Sequence, residues 1–338
     1  MFTILNRQMG CQVVLALICL LQVCPASGES ALQFQNPLNG GPDPWMVYYR
    51  SNYYLATTQV DAIRVWKAPT LAGLKTVKPV TVWKDANPTR TTGIWAPEFH
   101  LVSNRWYLYY TATSREHADE NHRMHVLESE GTDPLGPYHY KARLFNPTND
   151  HYAIDGTIIQ KKTDGSLYFI WAARPNHVLY IARMKNPYTL QGNGVYVPAS
   201  GFGCDEVREG PVTLQHNGKI FLVYSACDTG KPDYKLGMLM ADEKNDLLDP
   251  RSWKQSPYPV FERSDANGVF GPGHNGFFQS PDGTEDWIIY HGKTSSAITY
   301  RGRTTRAQKF TWNADGTPNF GVPVSLGTIL DEPSNRVK

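Results

Sequence analysis

The stretch IDGTIIQKKTDGSLYFIWAA, residues 154–173, decides the fold. A carboxylate beside glycine heads a short β-branched run. An Asp-Gly turn follows, and then a second run of aromatic and β-branched residues, the pattern of a β-hairpin. Four further segments share this plan: DPWMVYYRSNYYLATT from Asp43, APEFHLVSNRWYLYYTAT from Ala96, EGPVTLQHNGKIFLVYSAC from Glu209 and GHNGFFQSPDGTEDWIIYHGK from Gly273. Each opens on an acid or a histidine next to Gly or Pro. With Asp43, Glu98, Asp155, Glu209 and His274 as anchors, the spacings are 55, 57, 54 and 65 residues. A recurrence of that length holds four short strands, which is one propeller blade. The expectation is an all-β protein, a five-bladed β-propeller, in which ring closure removes most sheet edges. A two-sheet sandwich is the alternative, and it gives no reason for five hairpins to share the same heading residue class.

Composition agrees with sheet. The 338 residues include 19 Tyr, 13 Phe and 9 Trp, with 28 Gly and 24 Pro for turns. Charged residues make up 19% and the formal net charge is +2, so there is no basic field to hold a nucleic acid. Residues 115–127, REHADENHRMHVL, read as a surface-crossing loop, and His117, His122 and His125 lack metal-ligand spacing.

The N-terminus follows a different logic. Arg7 precedes the apolar run CQVVLALICLLQVC at 11–24, and small or helix-breaking residues follow to Gly28. This order predicts a secretory signal peptide over 1–28, too short in its apolar part to span a membrane. The remainder, 29–338, is expected to be a single catalytic propeller domain, secreted, extracellular, monomeric and free of the membrane after cleavage. Cleavage leaves Cys204 and Cys227, which in an exported chain are candidates for one disulfide, with two buried thiols as the alternative.

In a propeller the innermost strands surround one channel, so the anchors meet at one mouth. Asp43, Asp155 and Glu209 then share a cavity ringed by Trp45, Trp95 and nearby aromatics. Crowded, partly desolvated carboxylates raise one another's pKa. A protonated acid facing an ionised partner is what glycosidic hydrolysis requires, and flat rings suit the C–H faces of sugars. Asp155 is positioned to keep the acid protonated and oriented. A sugar-binding propeller lectin would need the aromatics and not the acids.

The blocks GPDPW (41–45), WAPEFH (95–100), AIDGTI (153–158), REGP (208–211) and GPGHNGFF (271–278) resemble the signature blocks of glycoside hydrolase family 43, across essentially the whole mature chain. The resemblance implies an inverting enzyme with Asp43 as general base, Asp155 as pKa modulator and Glu209 as general acid. It implies that His274 helps hold calcium or a similar cation, structural or pKa-tuning, with no organic cofactor. It implies that Arg303, in YRGRTTRAQKFTW (300–312), reaches the sugar of the first subsite; Arg301 shares its strand face and Arg306 is the remaining option. Trp95 is expected to stack on substrate. The wording of GFGCDEVREGP and the C-terminal segment is most like the exo-acting α-L-arabinofuranosidases of arabinan, with arabinoxylan also in range. That makes plant cell-wall polysaccharide or arabino-oligosaccharide the partner. β-Xylosidase and endo-arabinanase are the rivals within the family.

Overall fold

The computed structural model describes residues 32–335 apart from 117, 118, 149, 176 and 205. The segment 1–28, read as a leader, lies outside the described residues. Five four-stranded antiparallel sheets follow one another along the chain, each built from consecutive strands. The innermost strands are Trp45–Tyr49, Thr92–Val102, Ala153–Gln160, Arg208–His216 and Phe270–Gln279. This is a five-bladed β-propeller, and among the described residues its only helices are short 3₁₀ turns.

The seams between blades hold the core. Each joins aromatic and branched side chains from two neighbouring blades: Ile154, Ile170 and Leu179 of the third blade meet Ile220, Leu222 and Leu239 of the fourth, and Met46, Leu55 and Trp66 of the first meet Phe278, Trp287 and Ile289 of the fifth. At roughly 1.5–3 kcal/mol for each fully buried large side chain, these seams dominate the stabilisation. The segment 115–127 departs from expectation. Its second half enters the strand Arg123–Ser129, the third of the second blade, where Met124, Val126 and Leu127 are buried. Clustered polar residues ahead of the strand mask its alternation.

Closure comes from the N-terminal segment, which runs beside the third strand of the fifth blade, Thr304–Trp312. The Asn36 side chain donates to Ala307 O and accepts from Ala307 N, both at 2.9 Å. Leu38 N–H donates to Thr305 O at 2.8 Å, and Thr305 N–H to Asn39 O at 2.9 Å. Phe34 and Leu38 fill the seam between the fifth and first blades. A short pairing of Gln33–Phe34 with Leu330–Asp331 ties in the C-terminus.

All five blades share one backbone device at the channel mouth. Asp43, Ala96, Asp155, Gly210 and His274 have φ of 54°, 41°, 55°, 52° and 47°. Four of them sit where the inner strand shifts register against its neighbour, and Asp43 lies just ahead of Trp45–Tyr49. These are the equivalent positions. The anchors chosen by charge are therefore corrected in two blades, where Glu98 lies two residues beyond the shared position and Glu209 one before it. A left-handed non-glycine residue costs on the order of 1–3 kcal/mol, so the surrounding contacts must hold each one.

The closure seam predicts a measurable effect. Asn36→Ala removes the partners of a buried backbone N–H and C=O, at about 1–3 kcal/mol per group. Scanning calorimetry is expected to show the melting temperature lowered by several degrees, and an unchanged Tm would show that these bonds do not hold the ring closed.

Candidate active site

Asp43, Asp155 and His274 hold the left-handed position of their blades and meet Glu209, one residue ahead of it in its own blade, in one cluster. Asp43, Asp155 and Glu209 are 8%, 5% and 8% exposed. Asp155, Glu209 and His274 each present a potential ligand atom, all within 4.8 Å of one another. Asp43 joins them through His274, whose Nδ1 lies 3.4 Å from Asp43 Oδ1. Gly210 permits the convergence: its N–H donates to Asp155 Oδ2 at 3.1 Å, and a Cβ there would meet the His274 ring at 3.2 Å. Only glycine supplies both the φ and the space at this blade.

The carboxyls differ sharply in their surroundings. Asp43 Oδ1 accepts from Arg303 Nη1 at 3.1 Å, and Oδ2 accepts from the Thr58 hydroxyl at 2.7 Å. Burial alone would raise its pKa, but the Arg303 guanidinium, and after it His274, hold it well below the usual carboxylate range. Among the described residues, no lysine or arginine pairs with Asp155. Burial, then the charges of Glu209 and Asp43, push its pKa well up. Glu209 accepts from the Tyr234 hydroxyl at 2.9 Å and has His177 Nε2 3.4 Å from its other oxygen. Burial raises its pKa first, the Tyr234 hydrogen bond opposes, and the Asp43 charge adds to the rise, leaving it at about 7. One ionised carboxylate therefore faces two that favour the protonated form. That division suits acid–base work on a glycosidic bond.

The model for glycosyl hydrolases family 43 matches residues 34–318. The chain is a family 43 glycoside hydrolase. This hydrolase is 38% identical, over 339 aligned positions covering 93% of it and 69% of the other protein, to an extracellular exo-α-(1→5)-L-arabinofuranosidase of Streptomyces avermitilis. It is 32% identical to α-L-arabinofuranosidase 43 of Humicola insolens, over 92% of this chain and 68% of that one. Among solved structures, an α-L-arabinofuranosidase from Lactobacillus brevis superposes with a TM-score of 0.80 at 33% identity, over 87% of this chain and 98% of the other.

The remaining expected residues of the hydrolase divide. Arg303 reaches the cluster, whereas Arg301 is exposed and Arg306 is buried, donating to Gly292 O at 3.1 Å. Trp95 is half-buried and stacks on His122 with ring centroids 3.9 Å apart. Trp45 is 9% exposed, gives its indole N–H to Phe99 O at 3.0 Å, and packs in the seam between the first two blades. It also lines a 220 Å³ cavity with His100, Thr157 and Thr213, further along the inner strands than the carboxylates. Cys204 and Cys227 form a disulfide, which anchors the loop carrying Thr229. That hydroxyl lies 3.1 Å from His291 Nε2 and accepts from Arg303 at 3.4 Å.

Thr58, Tyr234, Thr229, His177 and His291 are not marked as site residues by the sequence. Only His291 carries a signal, as the histidine of the YHGK run within the fifth repeat. The others lie on loops or strand ends outside the repeat's headings.

The unequal surroundings of the carboxyls predict a titration. In protein carrying 13C-labelled glutamate, the Glu209 carboxyl is expected to titrate near pH 7. Asp43→Asn is expected to move that titration down, because the Asp43 charge is one of the influences raising it. An ordinary carboxylate titration of Glu209 in the unaltered protein contradicts this division of charge.

Proposed function

We propose that this hydrolase is an inverting, exo-acting α-L-arabinofuranosidase that releases L-arabinofuranose from α-1,5-linked arabinan, in which Asp43 is the general base, Glu209 the general acid and Asp155 the pKa modulator. The observation that carries this reading is one buried cluster in which Arg303 sits against Asp43, holding it ionised, while burial and the Asp43 charge push the Glu209 pKa up. Asp43, ionised, takes a proton from water as that water attacks the anomeric carbon. Glu209, protonated, gives its proton to the departing oxygen. Asp155, favouring its neutral form and bonded to Gly210 N–H, sits beside Glu209 without adding a full charge. Arg303 holds Asp43 and lies where it can also meet a sugar hydroxyl.

Two observations support action from a chain end on this substrate. The carboxyls are nearly buried, so a terminal residue inserted end-on reaches them more readily than the middle of a chain. The similar proteins of Streptomyces avermitilis and Humicola insolens carry arabinofuranosidase names. The leader-like N-terminus, the disulfide and the extracellular relatives support export.

The resemblance to the family also brings a cation to His274. The donor set fits a hard cation held through water, since carboxylate oxygens surround His274 and both amide atoms of the adjacent Asn275 are buried without partners. When bound there, held through His274, it would supply positive charge near the carboxyls.

Initial rates on arabino-oligosaccharides and on p-nitrophenyl α-L-arabinofuranoside test the assignment. Asp43→Asn is expected to abolish turnover of both. Glu209→Gln is expected to lose roughly 10²–10⁴-fold on the oligosaccharide and much less on the p-nitrophenyl substrate, whose leaving group needs little protonation. Equal losses on the two substrates would contradict the acid role, and full activity in either variant would remove the whole reading. Because Glu209 must be protonated, activity is expected to fall as pH rises through about 7.

A further inference from the structure

We infer that His291 is the positioning residue of Asp43, acting as the neutral imidazole protonated on Nε2, whose Nδ1 accepts the Asp43 backbone N–H and so holds the left-handed turn that aims the carboxylate. This rests on the reading of Asp43 as general base. Two contacts of one atom conflict. His291 Nδ1 lies 3.2 Å from the Asp43 backbone nitrogen and also 3.2 Å from Asp43 Oδ1. One ring nitrogen cannot serve both, because the first contact needs a lone pair and the second a proton.

The two choices have unequal consequences. If Nδ1 carried the proton, two N–H groups would face each other and a buried backbone donor would lose its acceptor, which is costly. If Nδ1 carries the lone pair, the backbone donor is satisfied and Oδ1 keeps its bond from Arg303 at 3.1 Å. In the second case every donor is paired, and the one unfavourable contact is Nδ1 against Asp43 Oδ1, whose charge Arg303 already holds. The proton then belongs on Nε2, which faces Thr229 Oγ1 at 3.1 Å. That hydroxyl also accepts from Arg303 at 3.4 Å, so one threonine braces both the imidazole and the guanidinium that hold Asp43.

Packing fixes the plane of the ring. His291 is fully buried and lies parallel to Tyr234, with centroids 5.5 Å apart and planes within 3°. Tyr234 in turn donates to Glu209. A stacked pair from the fourth and fifth blades therefore touches the base on one side and the acid on the other. Such burial of His291 disfavours a charged ring. At φ 54° Asp43 relies on such contacts to keep its turn.

Variants that separate acceptor from bulk provide the test. The side-chain oxygen of His291→Asn falls near the position of Nδ1, that of His291→Gln nearer Nε2, and His291→Phe keeps the stack without an acceptor. On p-nitrophenyl α-L-arabinofuranoside, the Gln and Phe variants are expected to lose about 100-fold in kcat with little change in KM, as small misplacements of a reacting group do. The Asn variant is expected to recover most of that loss. Equal losses in Asn and Phe, or unaltered kcat in Phe, would overturn the proposal. For a readout independent of variant folding, 15N shifts of labelled histidine in the unaltered protein are expected to show Nδ1 unprotonated and Nε2 protonated. The reverse pattern would also overturn it. Asp43→Asn run alongside distinguishes the two levels: if it stays active the base assignment fails, whatever His291 shows.

Discussion

Ring closure is the constraint on which the site depends. Asp43 stands at the start of the first blade, whereas His274, His291 and Arg303 belong to the fifth, more than 200 residues later in the chain. The segment from Asn36 to Gly41 seals these blades by hydrogen bonds to Ala307 and Thr305. The Thr305 hydroxyl donates to Gly41 O at 2.7 Å, two residues from Asp43 and two from Arg303. The contact that closes the fold thus also sets the distance between the carboxylate and the guanidinium that keeps it ionised. Stability and chemistry share one seam.

Within that ring, the electrostatics follow from unequal distribution of cations. All three carboxyls are desolvated, and desolvation alone would protonate all of them. Arg303 sits against Asp43, so Asp43 keeps its charge, and that charge in turn favours protons on Asp155 and Glu209. A single arginine thereby divides three similar side chains into one that keeps its charge and two that favour a proton. Its own bracing reaches Thr229, on a loop stapled by the Cys204–Cys227 disulfide.

Much of this is legible in the chain. The hairpin repeat predicts five blades, and its headings locate Asp43, Asp155, Glu209 and His274. The register at the mouth is not legible, because equivalence there is conformational. Ala96 and Gly210 occupy the shared left-handed position without the charge that marks it elsewhere, so charge alone points to their neighbours Glu98 and Glu209. Trp45 lies beyond the turn, where the strand has begun, and its ring packs in a seam. Thr58, Thr229 and Tyr234 carry no pattern at all; only the folded ring brings Thr58 and Tyr234 against the acids and Thr229 against the groups that hold Asp43.

The central claim, that closure assembles a base and an acid on opposite sides of one sugar, is tested most directly by the stereochemistry of the first product. Proton NMR during the first minutes of p-nitrophenyl α-L-arabinofuranoside cleavage is expected to show β-arabinofuranose appearing first, with the α anomer growing in later by mutarotation. If the α anomer is released first, the two carboxyls act through a covalent intermediate, and the assignment of Asp43 as a base acting on water is wrong.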